Sequence, residues 1–296
     1  MEQIIKHTKY IDPMVDVAFK QIFGQEKNKR LIKELLEHVF KLEITELSFV
    51  NTEHISDGVD NRNAYFDLQC HSDSIGDFIV EVQVKNQEHF AERALFYSTF
   101  PITAQAPRGS WDYSLKPVYF LGLLNFSLPT SSLKEDGWVH RYSLRNDETN
   151  GLLTNKVSYI FMEVGPFDKS WDQCASFEEK FLYYMKNLPI FVNKPDTHNE
   201  EFFEELLEAA EYAGLTKDMK EFYDHRLKNL RDNENVEAYA RKMAIQEGLA
   251  EGREKGLAEG RAEGRAQAAT DIAAKLRAEG IPEDVIERVT NLSQSK

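Results

Sequence analysis

The stretch FDLQCHSDSIGDFIVEVQVK, residues 66–85, decides the fold of this chain because it predicts two short strands around a turn. Apolar and polar residues alternate in both halves, as they do in strands that have two unlike faces. The expected apolar face carries Phe66, Leu68, Cys70, Phe78, Val80 and Val82, and the polar face carries Asp67, Gln69, Glu81, Gln83 and Lys85. A turn centred on Ser74 places Phe66 opposite Val82 and Asp67 opposite Glu81, a register that matches apolar with apolar residues.

This register also sets two carboxylates against each other. Like charges directly opposite one another destabilise a sheet, and a bound divalent cation would remove the conflict. Magnesium favours one or two carboxylates together with water and phosphate oxygens. The alternating pattern alone leaves a second interpretation open, in which Asp67 and Glu81 are offset on a hydrated outer face. Asp16, one turn before Lys20 on the first predicted helix, is likewise either a surface carboxylate or part of a site.

Charge and composition limit the class of protein. The net charge of -14 argues against a broad basic surface for nucleic acid, although residues 199–211 contribute six glutamates and no basic residue to it. DNA binding would therefore depend on a local patch or on cations held by carboxylates. The chain starts without the apolar run of a signal peptide, and its most apolar stretch, residues 118–126, is far shorter than the ~20 residues of a membrane span. We expect a cytoplasmic protein that does not contact membranes.

Hydrophobic periodicity predicts the order of elements. Asp12 is the candidate N-cap and Pro13 the first residue of a helix that ends at Gly24. Another predicted helix, kinked or broken near Pro101, precedes a strand that is apolar on both faces. This order predicts an α/β sheet flanked by helices and followed by helical segments. The predicted helices are 12–24, 28–40, 89–106 and most of the chain from 176; the predicted strands are about 44–55, 64–70, 77–84, 118–126, 138–146 and 156–164.

A glycine repeat marks the tail of the chain. Glycines recur every four residues at 248, 252, 256, 260 and 264. Each costs about 1 kcal/mol relative to alanine inside a helix, so the repeat needs a physical reason. One explanation is a helix whose bare stripe lets a second helix approach closely, and the other is a weakly structured charged linker. We expect the close-packed helix, with the same helix of a second chain as its partner in a homodimer.

Several segments together resemble one known family. These segments are MVDVAFKQIFG (14–24), YFDLQC (65–70), IVEVQV (79–84), ERALFYSTF (92–100), WDYSLKPVYFLGLLNF (111–126) and FMEVGPF (161–167). In order and spacing they are similar to the Rpn family of recombination-promoting nucleases and putative transposases, within the PD-(D/E)XK nuclease superfamily. The resemblance covers roughly residues 10–165 and extends to the glycine-repeat tail. It implies a PD-(D/E)XK restriction-endonuclease-like α/β core over residues 1–165. The helical patterns after this core predict a helical extension packed on it over 166–234, and the glycine repeat predicts a helical oligomerisation tail over 235–296.

The resemblance also implies roles for individual residues. Asp67 matches the aspartate of the second core strand, and Glu81 and Gln83 match the E-x-Q of the third, where many relatives have E-x-K. All three would be catalytic, with Asp67 and Glu81 as ligands of Mg²⁺, for which Mn²⁺ substitutes. Accessory roles are implied for Asp16, Lys85, Arg93 and Tyr97, and DNA-phosphate contacts for Lys20, Arg62 and Arg93. Because an amide cannot replace the lysine charge, Gln83 would orient water or ligate the metal through its oxygen. Lys85, two residues on along the same face, either supplies the charge or is a hydrated lysine at the end of the strand.

Two functions follow from these observations. The first is a magnesium-dependent DNA endonuclease, a phosphodiester hydrolase with a role in recombination, in a mobile element or in defence against phage. The second is a catalytically inactive nuclease fold that serves as an interaction or oligomerisation module, which the acidic balance and Gln83 favour. The chain has no HExxH zinc motif, no GxxxxGK[ST] phosphate loop and no G-x-S-x-G elbow.

Overall fold

The computed structural model describes residues 9–50, 66–87, 89–107, 109–128, 137–195 and 200–290. The chain divides into two compact units, residues 1–227 and 228–296. The helices are α1 (Asp16–Phe23), α2 (Lys29–Phe40), α3 (Phe90–Ala104), α4 (Phe177–Asn187), α5 (Glu201–Ala209), α6 (Lys217–Ala278) and α7 (Glu283–Thr290). The strands are β1 (Ser48–Phe49), β2 (Leu68–Ser72), β3 (Gly76–Gln83), β4 (Val118–Leu124), β5 (Val139–Arg145) and β6 (Leu152–Glu163).

The strands form one mixed sheet in the order β1-β2-β3-β4-β6-β5. Strands β2 and β3 form an antiparallel hairpin, β3 and β6 run parallel to β4, and β5 returns antiparallel to β6. Helix α3 connects the parallel strands β3 and β4, as parallel neighbours require a crossover segment. The predicted α/β sheet flanked by helices is confirmed.

The β2–β3 hairpin has the register expected from its alternating pattern. Leu68 lies opposite Val80 and Cys70 opposite Phe78, which confirms the turn around Ser74. The turn ends at Gly76, where φ is 132° and an added Cβ would lie 2.1 Å from the Pro117 carbonyl oxygen. A side chain there would strain the backbone and separate β3 from the segment that enters β4.

Both faces of β3 are covered by helices. Every β3 residue from Gly76 to Val82 is buried, so the hydrated outer face considered for this strand is wrong. On the face of Ile79 and Glu81, α3 packs through an apolar cluster made of Phe66, Ile79, Phe90, Ala94, Val118, Phe120, Leu124, Leu128 and Phe161. On the opposite face, the Phe40 ring of α2 packs on Phe78 and Tyr119.

Phe66 differs from its expected place. It was predicted on the face of Leu68 and Cys70, but its ring packs edge-on against Tyr97 and Phe100 of α3. The residue precedes β2, so strict strand alternation does not govern it. It closes the apolar cluster beneath α3 instead.

Several element boundaries also differ from the prediction. Helix α1 begins at Asp16 rather than at Pro13, because the Asp12 carboxylate accepts from the Met14 N–H at 2.9 Å and forms a turn of its own. Helix α3 continues through Pro101 without a break. The strand expected over residues 44–55 is only Ser48–Phe49 among the described residues, and 51–55 lie outside them.

The second unit is helical over residues 228–278 and 283–290. All five repeat glycines lie inside α6, so the structure does not support the interpretation of this segment as a weakly structured linker. Among the described residues, a Cβ added at any of them would meet no atom within 4 Å apart from the adjacent residues and the backbone of its own helix. Within the described residues, no helix combines the length and apolar character needed to cross a membrane.

Candidate active site

Asp67 and Glu81 meet where β2 begins and β3 nears its end. The Asp67 N–H donates to Glu81 Oε1 at 3.3 Å, and the Val82 N–H donates to Asp67 Oδ2 at 2.8 Å. Glu81 is only 6% exposed, and its neighbour in β4 is Gly122. A Cβ at Gly122 would lie 2.6 Å from the Phe161 ring, so glycine lets this ring pack closely on β4 at the position that pairs with Glu81. The hairpin register and this close packing place both carboxylates together in a largely dry environment.

The proximity of the two carboxylates changes their proton affinity. Burial, followed by the negative charge of Asp67, raises the pKa of Glu81 to about 8. Burial also raises the pKa of Asp67, although the hydrogen bond from the Val82 N–H opposes the change. Two carboxylates that share a desolvated site cannot both ionise readily. The metal-free pair therefore retains a proton at neutral pH.

Gln83 holds a cation next to this pair. Its Oε1 accepts a hydrogen bond from Arg93 Nη2, and its Nε2 donates to the Lys85 carbonyl oxygen at 2.9 Å. Arg93 also donates to Gln87 Oε1 at 2.5 Å and lies over the Phe90 ring at 5.1 Å from its centroid. The charge of Arg93 opposes the rise in the Glu81 pKa. Gln83 thus orients an arginine from α3 next to the carboxylate pair.

Two groups on α1 flank the carboxylates. Lys20 is exposed, and its positive charge opposes the rise in the pKa of both Asp67 and Glu81. Asp16, one turn earlier, accepts from Arg226 of α6, with Nε at 3.3 Å from Oδ1 and Nη2 bound to Oδ2. Sequence reasoning missed Arg226, because it lies 210 residues from Asp16 and no local pattern joins the two positions.

The structure thus brings most of the predicted site residues together. Asp67, Glu81, Gln83 and Arg93 form the centre, and the charges of Asp16 and Lys20 act on it from α1. Tyr97 lies one turn after Arg93 on α3. The Arg93 guanidinium is 5.9 Å from the centroid of the Tyr97 ring. Lys85 follows the end of β3, where its carbonyl oxygen receives the Gln83 amide. Arg62 lies outside the described residues.

The donor set at the centre fits a hard divalent cation. Each carboxylate engages one oxygen with a backbone N–H, Asp67 through Oδ2 and Glu81 through Oε1, and has a second oxygen besides. One or two carboxylates supplemented by water and phosphate oxygens are what Mg²⁺ takes in proteins. A cation would also relieve the repulsion between the two groups. In the described part of the chain, no three His, Cys, Asp or Glu side chains converge as a metal cluster. Asp67 and Glu81 together could supply two carboxylate oxygens to a cation.

A mixed sheet flanked by helices, with an aspartate and an E-x-Q pair on neighbouring strands, is the arrangement of the PD-(D/E)XK class of nuclease folds. The model of the PD-(D/E)XK nuclease family transposases matches residues 13–240, and the chain belongs to this family. Comparison with curated proteins and with solved structures gave no match. Membership supports a nuclease or transposase-like function and implies DNA binding, and PD-(D/E)XK nucleases generally use divalent metals.

Proposed function

We propose that this protein is a metal-dependent DNA endonuclease of the recombination-promoting, transposase-like type. The observation that carries the proposal is the buried contact between Asp67 and Glu81. Two carboxylates in a dry site repel each other, and this arrangement weakens the metal-free protein. Binding of a divalent cation gives the arrangement a function, since the same cation can engage a phosphodiester. We propose Mg²⁺ as the ion, with Mn²⁺ as a substitute.

Each residue of the site then has a task in phosphodiester hydrolysis. Asp67 and Glu81 would hold the ion, and Glu81 would release its proton when the ion binds. A bound Mg²⁺ supplies Lewis-acid polarisation of the phosphate and lowers the pKa of a water molecule. Arg93, fixed by Gln83, presents a guanidinium that can bind the charge of the scissile phosphate. Lys20 can contact a neighbouring phosphate from α1.

The tail suggests that the enzyme works as a homodimer. A Cβ at residues 248, 252, 256, 260 or 264 would have open space around it within the described part of the chain, although each glycine weakens the helix. A second copy of the same helix is the simplest partner for such a stripe. Two active sites in a dimer can address the two strands of a duplex.

A second candidate function is an inactive nuclease fold that serves as an interaction module. The amide of Gln83 favours it, since both ends of this side chain are already engaged by Arg93 and the Lys85 carbonyl. A plasmid assay separates the two candidates. The enzyme should nick or linearise supercoiled DNA with Mg²⁺ or Mn²⁺ and stop in EDTA, whereas an inactive module leaves every DNA form intact under all these conditions.

A further inference from the structure

We propose that Arg226 of α6 is a DNA-phosphate contact of this active site, and that Asp16 is the positioning residue that orients it rather than a metal ligand. The inference rests on the proposed nuclease function. It adds α6 to the helices that border the site. It also specifies the accessory role that the family resemblance implies for Asp16.

The Asp16 carboxylate is already engaged by donors from the protein. Its Oδ1 accepts from the Val17 N–H at 2.9 Å and from Arg226 Nε at 3.3 Å, and its Oδ2 accepts from Arg226 Nη2. Both oxygens therefore face donors from protein. A metal ion would have to compete with a two-point guanidinium contact for this carboxylate, which Asp67 and Glu81 do not experience.

Contacts near the start of α6 fix the position of Arg226. Tyr223, one turn earlier on α6, is buried, and its hydroxyl accepts from the Asp12 N–H at 2.8 Å. Asp224 accepts from the Tyr212 hydroxyl at 2.9 Å. The start of α6 is thus attached to the segment before α1 and to the turn before α6 itself. Arg226 projects from a rigid support, which is what precise recognition of a phosphate requires.

One edge of the Arg226 guanidinium is not used by Asp16. The fork directs Nε and Nη2 at Asp16, so the Nη1 end points away from that carboxylate. The Arg226 side chain is 46% exposed. Arginine has five donors in a planar arrangement and can bind a carboxylate along one edge and a phosphate along another. The contact with Asp16 therefore limits the rotamers of Arg226 without consuming its capacity to bind phosphate.

The positive charge of Arg226 interacts with the acidic pair. The negative charge of Asp67 contributes to the raised pKa of Arg226, so the two groups lie within electrostatic reach. Three helices thus supply cations that interact electrostatically with the acidic pair: Lys20 of α1 and Arg93 of α3 act on both carboxylates, and Arg226 of α6 interacts with Asp67. A chain of net charge -14 needs such a local patch if it is to hold a polyanion.

DNA binding without cleavage tests the inference. A fluorescein-labelled duplex is titrated in Ca²⁺, with a gel to verify that it stays intact. Arg226→Gln should weaken binding about tenfold and reduce the slope of log K against log salt by about 0.9, the value of one phosphate contact. The DNA affinity of Arg226→Lys should lie between those of the wild type and Arg226→Gln, since lysine keeps the charge and loses the two-point contact.

Arg30→Gln is the matched control for the DNA measurement. Arg30 forms a similar two-point contact with Glu205 and a further ion pair from Nη1 to Glu201 at 3.1 Å, and its side chain is 43% exposed, so the substitution removes the same charge from another ion-paired arginine. Its affinity and salt slope should equal those of the wild type. Wild-type affinity and slope in Arg226→Gln would overturn the inference. A wild type that binds no DNA would instead overturn the proposed function and this inference with it.

Metal binding tests the second part of the proposal, that Asp16 is a positioning residue and not a metal ligand. Mn²⁺ is titrated calorimetrically into the full chain without DNA. Asp16→Asn should bind Mn²⁺ within about twofold of the wild type, whereas Glu81→Gln should lose tenfold or more. Equal losses in the two variants would make Asp16 a ligand and overturn its positioning role. Circular dichroism melts of each variant verify that the losses do not arise from unfolding.

Discussion

Replacing Glu81 by glutamine should remove a pH dependence from the stability of the metal-free protein. Glu81 is buried against Asp67, and its pKa in the folded state is about 8 instead of the ordinary 4.5. Between these two pH values the folded state holds a proton that the unfolded state has lost. The stability of the wild type must therefore fall as pH rises through this window. Glutamine keeps an oxygen for the Asp67 N–H and carries no charge at any pH.

The size of the effect follows from the same values. The folded and ordinary pKa values differ by about 3.5, and at about 1.36 kcal/mol for each pH unit the ceiling is about 5 kcal/mol. Local relaxation and water entry lower this ceiling, so a loss of about 2 to 4 kcal/mol is expected. The variant and the wild type should have similar stability near about pH 5. Near about pH 9 the variant should be more stable by this amount.

Urea unfolding in EDTA at several pH values measures this difference. Tryptophan fluorescence is a suitable probe because Trp111, Trp138 and Trp171 all lie in the first unit of the chain. Glu43→Gln removes an exposed glutamate and should follow the wild type at every pH. If the stability of Glu81→Gln falls with pH in parallel with the wild type, Glu81 does not carry the buried proton and the electrostatic account of the site is wrong.

Other perturbations test the remaining contacts. Asp67→Ala should destabilise the protein near about pH 5 by about 1 to 3 kcal/mol in chemical denaturation, because the Val82 N–H loses its acceptor, whereas Asp67→Asn should not. Gln83→Lys places an ammonium against Arg93 and should cost about 1 to 2 kcal/mol, which Arg93→Gln in the same chain should restore; no loss in the single variant would refute this contact. Sedimentation should show the wild type as a dimer and a triple leucine variant of the tail shifted toward monomer, and an unchanged mass would refute the tail contact. The triple variant carries leucine at Gly252, Gly256 and Gly260.

The hairpin could be predicted from local pattern because its register depends on local pattern. Alternation along residues 66–85 requires Leu68 opposite Val80, since any one-residue slip would turn apolar side chains to the polar face. The continuous apolar run of β4 likewise predicted burial on both faces, and the structure confirms it. These properties belong to neighbouring strands, and period and composition encode them directly.

The surroundings of the site could not be predicted in this way. Burial of Glu81 depends on α3 packing over its face, and the pattern of β3 alone is equally compatible with a hydrated surface. The contact of Gln83 with Arg93 joins a strand to the following helix, and that of Asp16 with Arg226 joins the two ends of the first unit. Tertiary packing decides such contacts, and in a single sequence they leave no periodic signal.

The most direct measurement of the central claim is cleavage of supercoiled plasmid by the wild type and by Asp67→Asn, each with Mg²⁺ and with EDTA. Asparagine keeps an acceptor for the Val82 N–H and removes one charged metal ligand, so the fold remains while the proposed chemistry is lost. The account predicts nicked or linear DNA only for the wild type with Mg²⁺. Cleavage of equal rate by Asp67→Asn, or by the wild type in EDTA, would contradict it.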